Sequence, residues 1–173
     1  MRKRRKALRT YAFIDASNII YGTRDEGWKV DFRKLFKYLS ERYGSKKIFY
    51  FAGKDNKNLK QAHFYKLLAK IGYELILKEV KLYRQENGPM IRKANCDVDL
   101  TFYAMRDQDK YNSALFLTGD GDFFVLIDYL IKQKKAIRVI ANGKRTAKEI
   151  RSLMGPNFTP ISSLRKILRY KKG

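Results

Sequence analysis

Short apolar runs alternate along this chain with amphipathic segments, the pattern of a β-sheet covered by helices on both faces. Tyr11-Ala-Phe-Ile14 reads as a first buried strand. Asp31 is placed to cap a helix whose apolar positions, Phe32, Leu35, Phe36 and Leu39, recur three and four apart. Lys47 to Ala52 is a second strand, stopped by Gly53. Phe64, Leu67, Leu68 and Ile71 mark the next helix, with Gly72 where a helix stop is expected. Tyr73 to Leu77 is the third strand.

Between Val80 and Ala94 the pattern changes to two polar-alternating pieces around Asn87-Gly88, a hairpin signal. A helix starts near Asp97, with Leu100 and Ala104 on one face. Ala114 to Thr118 is the fourth strand, Phe124 to Ile131 the following helix, and Ala136 to Ile140 the fifth strand. From Thr146 the pattern predicts a short helix, a break at Gly155-Pro156 and a basic amphipathic helix from Ile161 to Tyr170. Five strands with helical crossovers imply an α/β fold, a three-layer α/β/α sandwich around a mostly parallel five-stranded sheet of order 3-2-1-4-5. The ligand site of such a sheet lies beyond the carboxyl ends of its strands, where the strand order reverses. At 173 residues, 45% of them hydrophobic, the chain suits one core: a single domain over 11–173 behind a basic tail, 1–10.

Charge changes the picture. Lys and Arg number 39 against 17 Asp and Glu, a formal net charge of +22. A compact domain this basic repels itself unless it works beside a polyanion, and nucleic acid is the commonest one. The plainer explanation is a cell in which Lys and Arg are simply abundant. The single cysteine, Cys96, excludes an internal disulfide and a cysteine metal cage and points to a reducing compartment. The basic run Met1 to Lys6 is followed by too short an apolar stretch for a signal peptide, and nothing approaches a membrane span, so a cytoplasmic location is expected.

In a chain with so few acids, their grouping carries information. Asp15 ends the first strand, Asp120 and Asp122 follow the fourth, and Asp97 and Asp99 open the helix before it. In the order 3-2-1-4-5 the first and fourth strands are neighbours, so Asp15 and Asp120 meet. The helix starts bearing Asp97 and Asp122 face the same edge. Taken singly, Asp97 and Asp122 also fit helix N-caps, and Asp15 and Asp120 fit turn residues. Together they are costly, because two carboxylates about 5 Å apart repel by roughly 3 kcal/mol at an effective dielectric near 20. A divalent cation removes that cost, and oxygen-only ligands favour Mg²⁺ or Mn²⁺ over zinc. A metal so held lowers the pKa of a bound water and neutralises charge on a phosphate oxygen, the chemistry of phosphodiester hydrolysis. Whether one metal or two is held stays open.

Three segments, in order, resemble the NYN-domain family, the LabA-like branch of the PIN-like nucleases, over about Tyr11 to Leu168. They are Phe13-Ile-Asp-Ala-Ser-Asn18, Lys93-Ala-Asn-Cys-Asp-Val-Asp-Leu100 and Leu117-Thr-Gly-Asp-Gly-Asp-Phe123. The resemblance implies a PIN-like sandwich, a Mg²⁺ or Mn²⁺ requirement and ribonuclease activity. It makes Asp15, Asp97 and Asp120 metal ligands, with Asp99 and Asp122 in support and Asn18 steadying the site and its water. It departs at Tyr103, where the family often carries a further Asp, and at Ala16, where Gly is usual.

The remaining candidates concern RNA itself, with DNA the less favoured polymer. Lys54 and Lys93 border the expected crevice, Arg92 is a further nucleic-acid-binding candidate, Tyr83 in the hairpin is a stacking candidate, and Arg4 and Arg5 lie in the basic tail. His63, the only histidine, excludes a histidine-based triad or zinc site and reads as a packing or partly exposed residue. Cys96 reads as a small buried filler rather than a nucleophile. Two functions follow: a metal-dependent endoribonuclease, or an RNA- or ribosome-binding module of the same fold with little catalysis. A homodimer is a candidate assembly for either.

Overall fold

The computed structural model describes residues 9–83 and 91–171, and of residues 82, 83 and 91–93 the backbone alone. Asn87-Gly88, Arg4 and Arg5 lie outside the described residues. Strand β1 (Thr10–Asp15) leads into helix α1 (Ala16–Asp25), then α2 (Phe32–Tyr43), β2 (Ser45–Lys54), α3 (Leu59–Ile71) and β3 (Glu74–Glu79). Short strands β4 (Lys81–Tyr83) and β5 (Ile91–Lys93) pair antiparallel, as the hairpin signal predicts. After them come α4 (Asp97–Arg106), β6 (Ser113–Leu117), α5 (Phe124–Lys132), β7 (Ala136–Ala141), α6 (Lys148–Met154), β8 (Phe158–Pro160) and α7 (Arg165–Leu168).

The main sheet is parallel, in the order β3-β2-β1-β6-β7-β8. That is the expected five-strand order with one short strand added at the edge. β8 escapes the pattern because three residues ending in Pro160 show no periodicity, and Pro160 cannot donate to a ladder. Successive side chains of the central strands serve opposite faces. Ala12, Ile14, Ile48, Tyr50, Leu115 and Leu117 enter one core, which also takes Leu35 and Leu39 of α2 and Leu68 of α3. Tyr11, Phe13, Phe49, Phe51, Ala114 and Phe116 enter the other, beneath Leu100 of α4 and Ile127 and Leu130 of α5. Burial on both faces is why these strands read as unbroken apolar runs. Phe13 stacks between Phe49 and Phe116 of its neighbours, with ring centroids 5.4 and 5.3 Å away. Each buried aromatic there contributes about 1.5–3 kcal/mol by leaving water.

Two helices differ from the sequence expectation. The sequence reading does not predict α1: Gly22 and its β-branched neighbours give the segment a low helical propensity. It is held by its caps and by close packing on the β7 end, where Asn142 Nδ2 donates to the Gly22 carbonyl at 2.7 Å. A Cβ at Gly22 would stand 3.0 Å from that of Asn142, so the glycine permits the approach. The expected basic helix from Ile161 to Tyr170 is instead a 3-10 turn (Ile161–Leu164) followed by the single turn of α7. The chain then leaves the helix because Val30 and Arg169 form a bridge and the Tyr170 N–H donates to the Lys29 carbonyl. Helix stops at Gly44 and Gly72 adopt positive φ, 62° and 118°, as left-handed C-caps require.

Candidate metal centre

Parallel pairing decides what meets at the carboxyl edge. Ile14 lies opposite Leu117, so the next residues, Asp15 and Thr118, leave the sheet side by side. Asp15 caps α1 by accepting from the Asn18 N–H at 3.2 Å, while its other oxygen accepts from Thr118 Oγ1 at 3.3 Å. Asn18 in turn accepts from the Gly119 N–H through Oδ1 at 3.1 Å, which ties α1 to the loop after β6. Asp120 accepts from the Asp122 N–H at 3.1 Å and opens a 3-10 turn over Gly121–Phe123. Thr118 also accepts from the Asp120 N–H. Its place between the two aspartates was not singled out from the sequence, where it reads as the last residue of a strand.

The glycines of this loop have steric reasons. A Cβ on Gly119 would overlap Thr146, and one on Gly121 would stand 2.9 Å from the Glu149 carboxylate. The loop is therefore pressed against the start of α6, and the Ala147 N–H donates to the Gly119 carbonyl at 3.0 Å.

Asp97 sits at the first position of α4, directly after Cys96, so it is not the cap of that helix. Carboxylate oxygens of Asp97, Asp120 and Asp122 lie within 4.8 Å of one another. Asp15 stands just outside this trio but feels it. Burial first, and then the charges of Asp97 and Asp120, hold its carboxyl above the usual carboxylate range despite the two hydrogen bonds it accepts. Asp99 is turned elsewhere: it pairs with Lys78 at 2.8 Å and stands outside the trio. Cys96 is half-buried against the core beneath α4 and α5, and burial, with Asp99 nearby, pushes its thiol up to about 11. It is no thiolate at neutral pH. Tyr103 lies down the helix, its ring packed 5.6 and 5.8 Å from Phe49 and Phe51, so that position belongs to the aromatic layer.

The trio fits a hard cation, since every donor is a carboxylate oxygen and the acids otherwise raise one another's energy. Beside it opens a recess of about 470 Å³ that Asn18 and Asp120 share with Lys144, Arg145, Lys148 and Arg151. The buried Asn142 builds this rim: its Oδ1 accepts from the Lys144 and Arg145 N–H groups, and its carbonyl from Thr146. These four cations were not named from the sequence, in which nothing separates them from the other bases. Of the basic residues that were named, Lys54 is exposed at the carboxyl end of β2, on the site's edge of the sheet. Tyr83, Arg92 and Lys93 lie in the paired strands β4 and β5, and their side chains are outside the described residues. His63 is exposed on α3. No helix among the described residues is long and apolar enough to cross a membrane.

The sequence profile of the NYN domain family matches residues 9–162, which include every described residue of the site. The chain is 28% identical over 145 residues to the low amplitude and bright protein LabA of Synechococcus elongatus, covering 81% of this chain and 77% of that protein. A crystal structure of a protein of unknown function from Vibrio parahaemolyticus superposes with a TM-score of 0.79, over 97% of this chain and 99% of that one. At 19% identity this likeness concerns the fold alone.

Proposed function

The chain belongs to the NYN domain family, whose members are generally nuclease-like, and on that premise we propose that it is a Mg²⁺- or Mn²⁺-dependent endoribonuclease. The observation that carries this reading is the trio Asp97, Asp120 and Asp122, within 4.8 Å of one another, in a chain of net charge +22. Folding alone gives no reason to gather scarce acids, and a protein that only bound RNA would be weakened by an acidic pit.

Asp97, Asp120 and Asp122 would hold the ion, with Asp15 completing the set from the end of β1. A divalent ion held there supplies a water of lowered pKa and offsets charge on the phosphate. The protein's own groups do the rest. Thr118 and the Asn18 N–H fix the Asp15 carboxylate, so it meets its ligand without rearranging. Asn18 gives its carbonyl oxygen to Gly119, which leaves its NH₂ to donate to a water or phosphate oxygen. Lys144, Lys148 and Arg151 hold neighbouring phosphates by charge, without reading sequence. All these residues come from one chain, so the reading needs no dimer. RNA rather than DNA is the proposed polymer.

The rival reading is an RNA- or ribosome-binding module, and Tyr103 favours it, since its ring offers the site no carboxylate where the family often has one. The deciding experiment is cleavage of end-labelled structured RNA with Mn²⁺, with Mg²⁺ and with EDTA, beside the Asp120→Asn variant. Metal-dependent cutting that the variant loses is expected. Tight, salt-sensitive binding without cutting in either protein would overturn the enzyme in favour of the binder.

A further inference from the structure

On the other side of Asp15 the same edge bears a second, different cavity. It has a volume of about 350 Å³ and lies between α1 and the turn that joins β2 to α3. Ala16 and Ser17, the two residues after Asp15, form its near wall. Tyr50 forms part of its buried lining, with Phe64 and Tyr65 beside it, and Tyr21 stands at its rim. Among the described residues no lysine or arginine lines it. Of the described lining residues Asp55 alone carries a charge, and the others are aromatic, apolar or neutral polar, a lining that disfavours a phosphate and suits a flat group able to donate hydrogen bonds. The volume lies within the roughly 300–1,000 Å³ of small-ligand sites.

We propose that this cleft receives one unstacked base of the RNA strand, with Tyr21 as its stacking face. The inference rests on the RNA reading above. Tyr21 is 51% exposed, and it lies three residues after Asn18, on the same side of α1. The Arg24 guanidinium lies 5.4 Å from its ring centroid, a pairing that adds a cation beside the stacking surface. Ser17 and Asn58 bring exposed polar groups to the mouth for the edge of a base. Gln61 is fixed between the Asp55 N–H and the Gly53 carbonyl and gives the wall a rigid amide. An adjoining groove carries Arg24, Lys29 and Lys60 onward from the cleft and offers charge to the phosphate that follows the base. The bases of an A-form duplex are stacked and out of reach of such a cleft, whereas single strands splay theirs out.

The test is equilibrium binding by fluorescence anisotropy, with Asp120→Asn as the parent protein so that nothing is cut. The probes are an unstructured single-stranded RNA, the same strand with one abasic position moved along it, and a blunt RNA duplex. Tyr21→Leu should bind the single strand about tenfold more weakly, and Tyr21→Phe should bind like the parent. One abasic position should cost the parent a similar factor and cost Tyr21→Leu nothing further, because the two changes remove the same contact. Duplex binding should be weaker than single-strand binding and indifferent to Tyr21. Equal single-strand affinity in Tyr21→Leu, additive losses, or a duplex that binds as well as the single strand would each overturn the proposal. Because the readout is binding, absence of cutting in the wild type would sink the nuclease and leave the cleft standing. Cutting with Tyr21-independent binding would do the reverse.

Discussion

The two ends of the sheet treat carboxylates in opposite ways. At the amino ends of the strands, Asp107 joins α4 to β6 with its side chain 1% exposed. It accepts from Arg106 at 3.1 and 2.8 Å and from Lys110 at 2.8 Å. These bonds, Arg106 first, pull its carboxyl down to about 2 against the opposing effect of burial. At the carboxyl ends, Asp15 is also shielded from water, and burial first, then the charges of Asp97 and Asp120, pushes its carboxyl up. One end spends cations to stabilise an acid, while the other sets acids against one another within 4.8 Å although the chain has bases in excess. The first arrangement serves the fold. The second is unfavourable for the fold alone, and sites that oppose stability in this way are where function is found.

The largest effect should come from Asp120→Asn. Asparagine keeps an oxygen to accept the Asp122 N–H, so the turn survives while the charge goes. If the metal supplies several kcal/mol at the transition state, single-turnover cleavage should fall by about a thousandfold. Thermal stability without metal should stay the same or rise. A variant that cuts normally would detach the acidic edge from the chemistry and remove the functional half of the contrast.

Next in size is Asp107→Asn, at the other end. The carboxyl lies below its ordinary value in the folded protein, so its contribution is present above pH about 4 and is lost as pH falls towards 2. A carboxyl held down to about 2 in the folded protein corresponds to roughly 2 kcal/mol. Urea unfolding at pH 7 should show that loss, and the gap between variant and wild type should close in acid. Cleavage by the folded variant should be unchanged. A loss of cleavage at full occupancy of the folded state would show that the two ends are not independent.

How far the contrast was legible in the sequence follows from the range of the signals. The central strands showed themselves because both faces are buried, and their order put Asp15 beside the loop of Asp120. That much is periodicity and topology. α1 was hidden because Gly22 and the β-branched residues lower its helical propensity, and Tyr21 was hidden with it, since its value depends on a face of that helix. Lys144, Lys148 and Arg151 could not be told from other bases: only the Asn142 turn brings them to Asp120. Asp99 looked equivalent to Asp97, two residues away. On a helix two residues face different ways, and Asp99 turns to Lys78.

The smallest effect, and the sharpest test of the contrast, is Asp15→Asn. Asparagine's one oxygen can still accept from the Asn18 N–H while its NH₂ donates to Thr118 Oγ1, so the cap of α1 is retained and the charge is lost. Because the folded carboxyl lies above its ordinary value, proton binding favours the folded state. The stability this gives is full below the unfolded pKa and disappears as pH rises through the folded one. At neutral pH, without metal, Asp15 is therefore a burden, and the variant should be the more stable protein, measured as a rise in Tm. Added Mn²⁺ should reverse the order, because an ion that binds only the folded state stabilises by mass action and the variant binds it less well. If Asp15→Asn instead destabilised the metal-free protein, the acidic edge would be held by partners that balance it as Arg106 and Lys110 balance Asp107. The two ends would then differ in degree and not in kind.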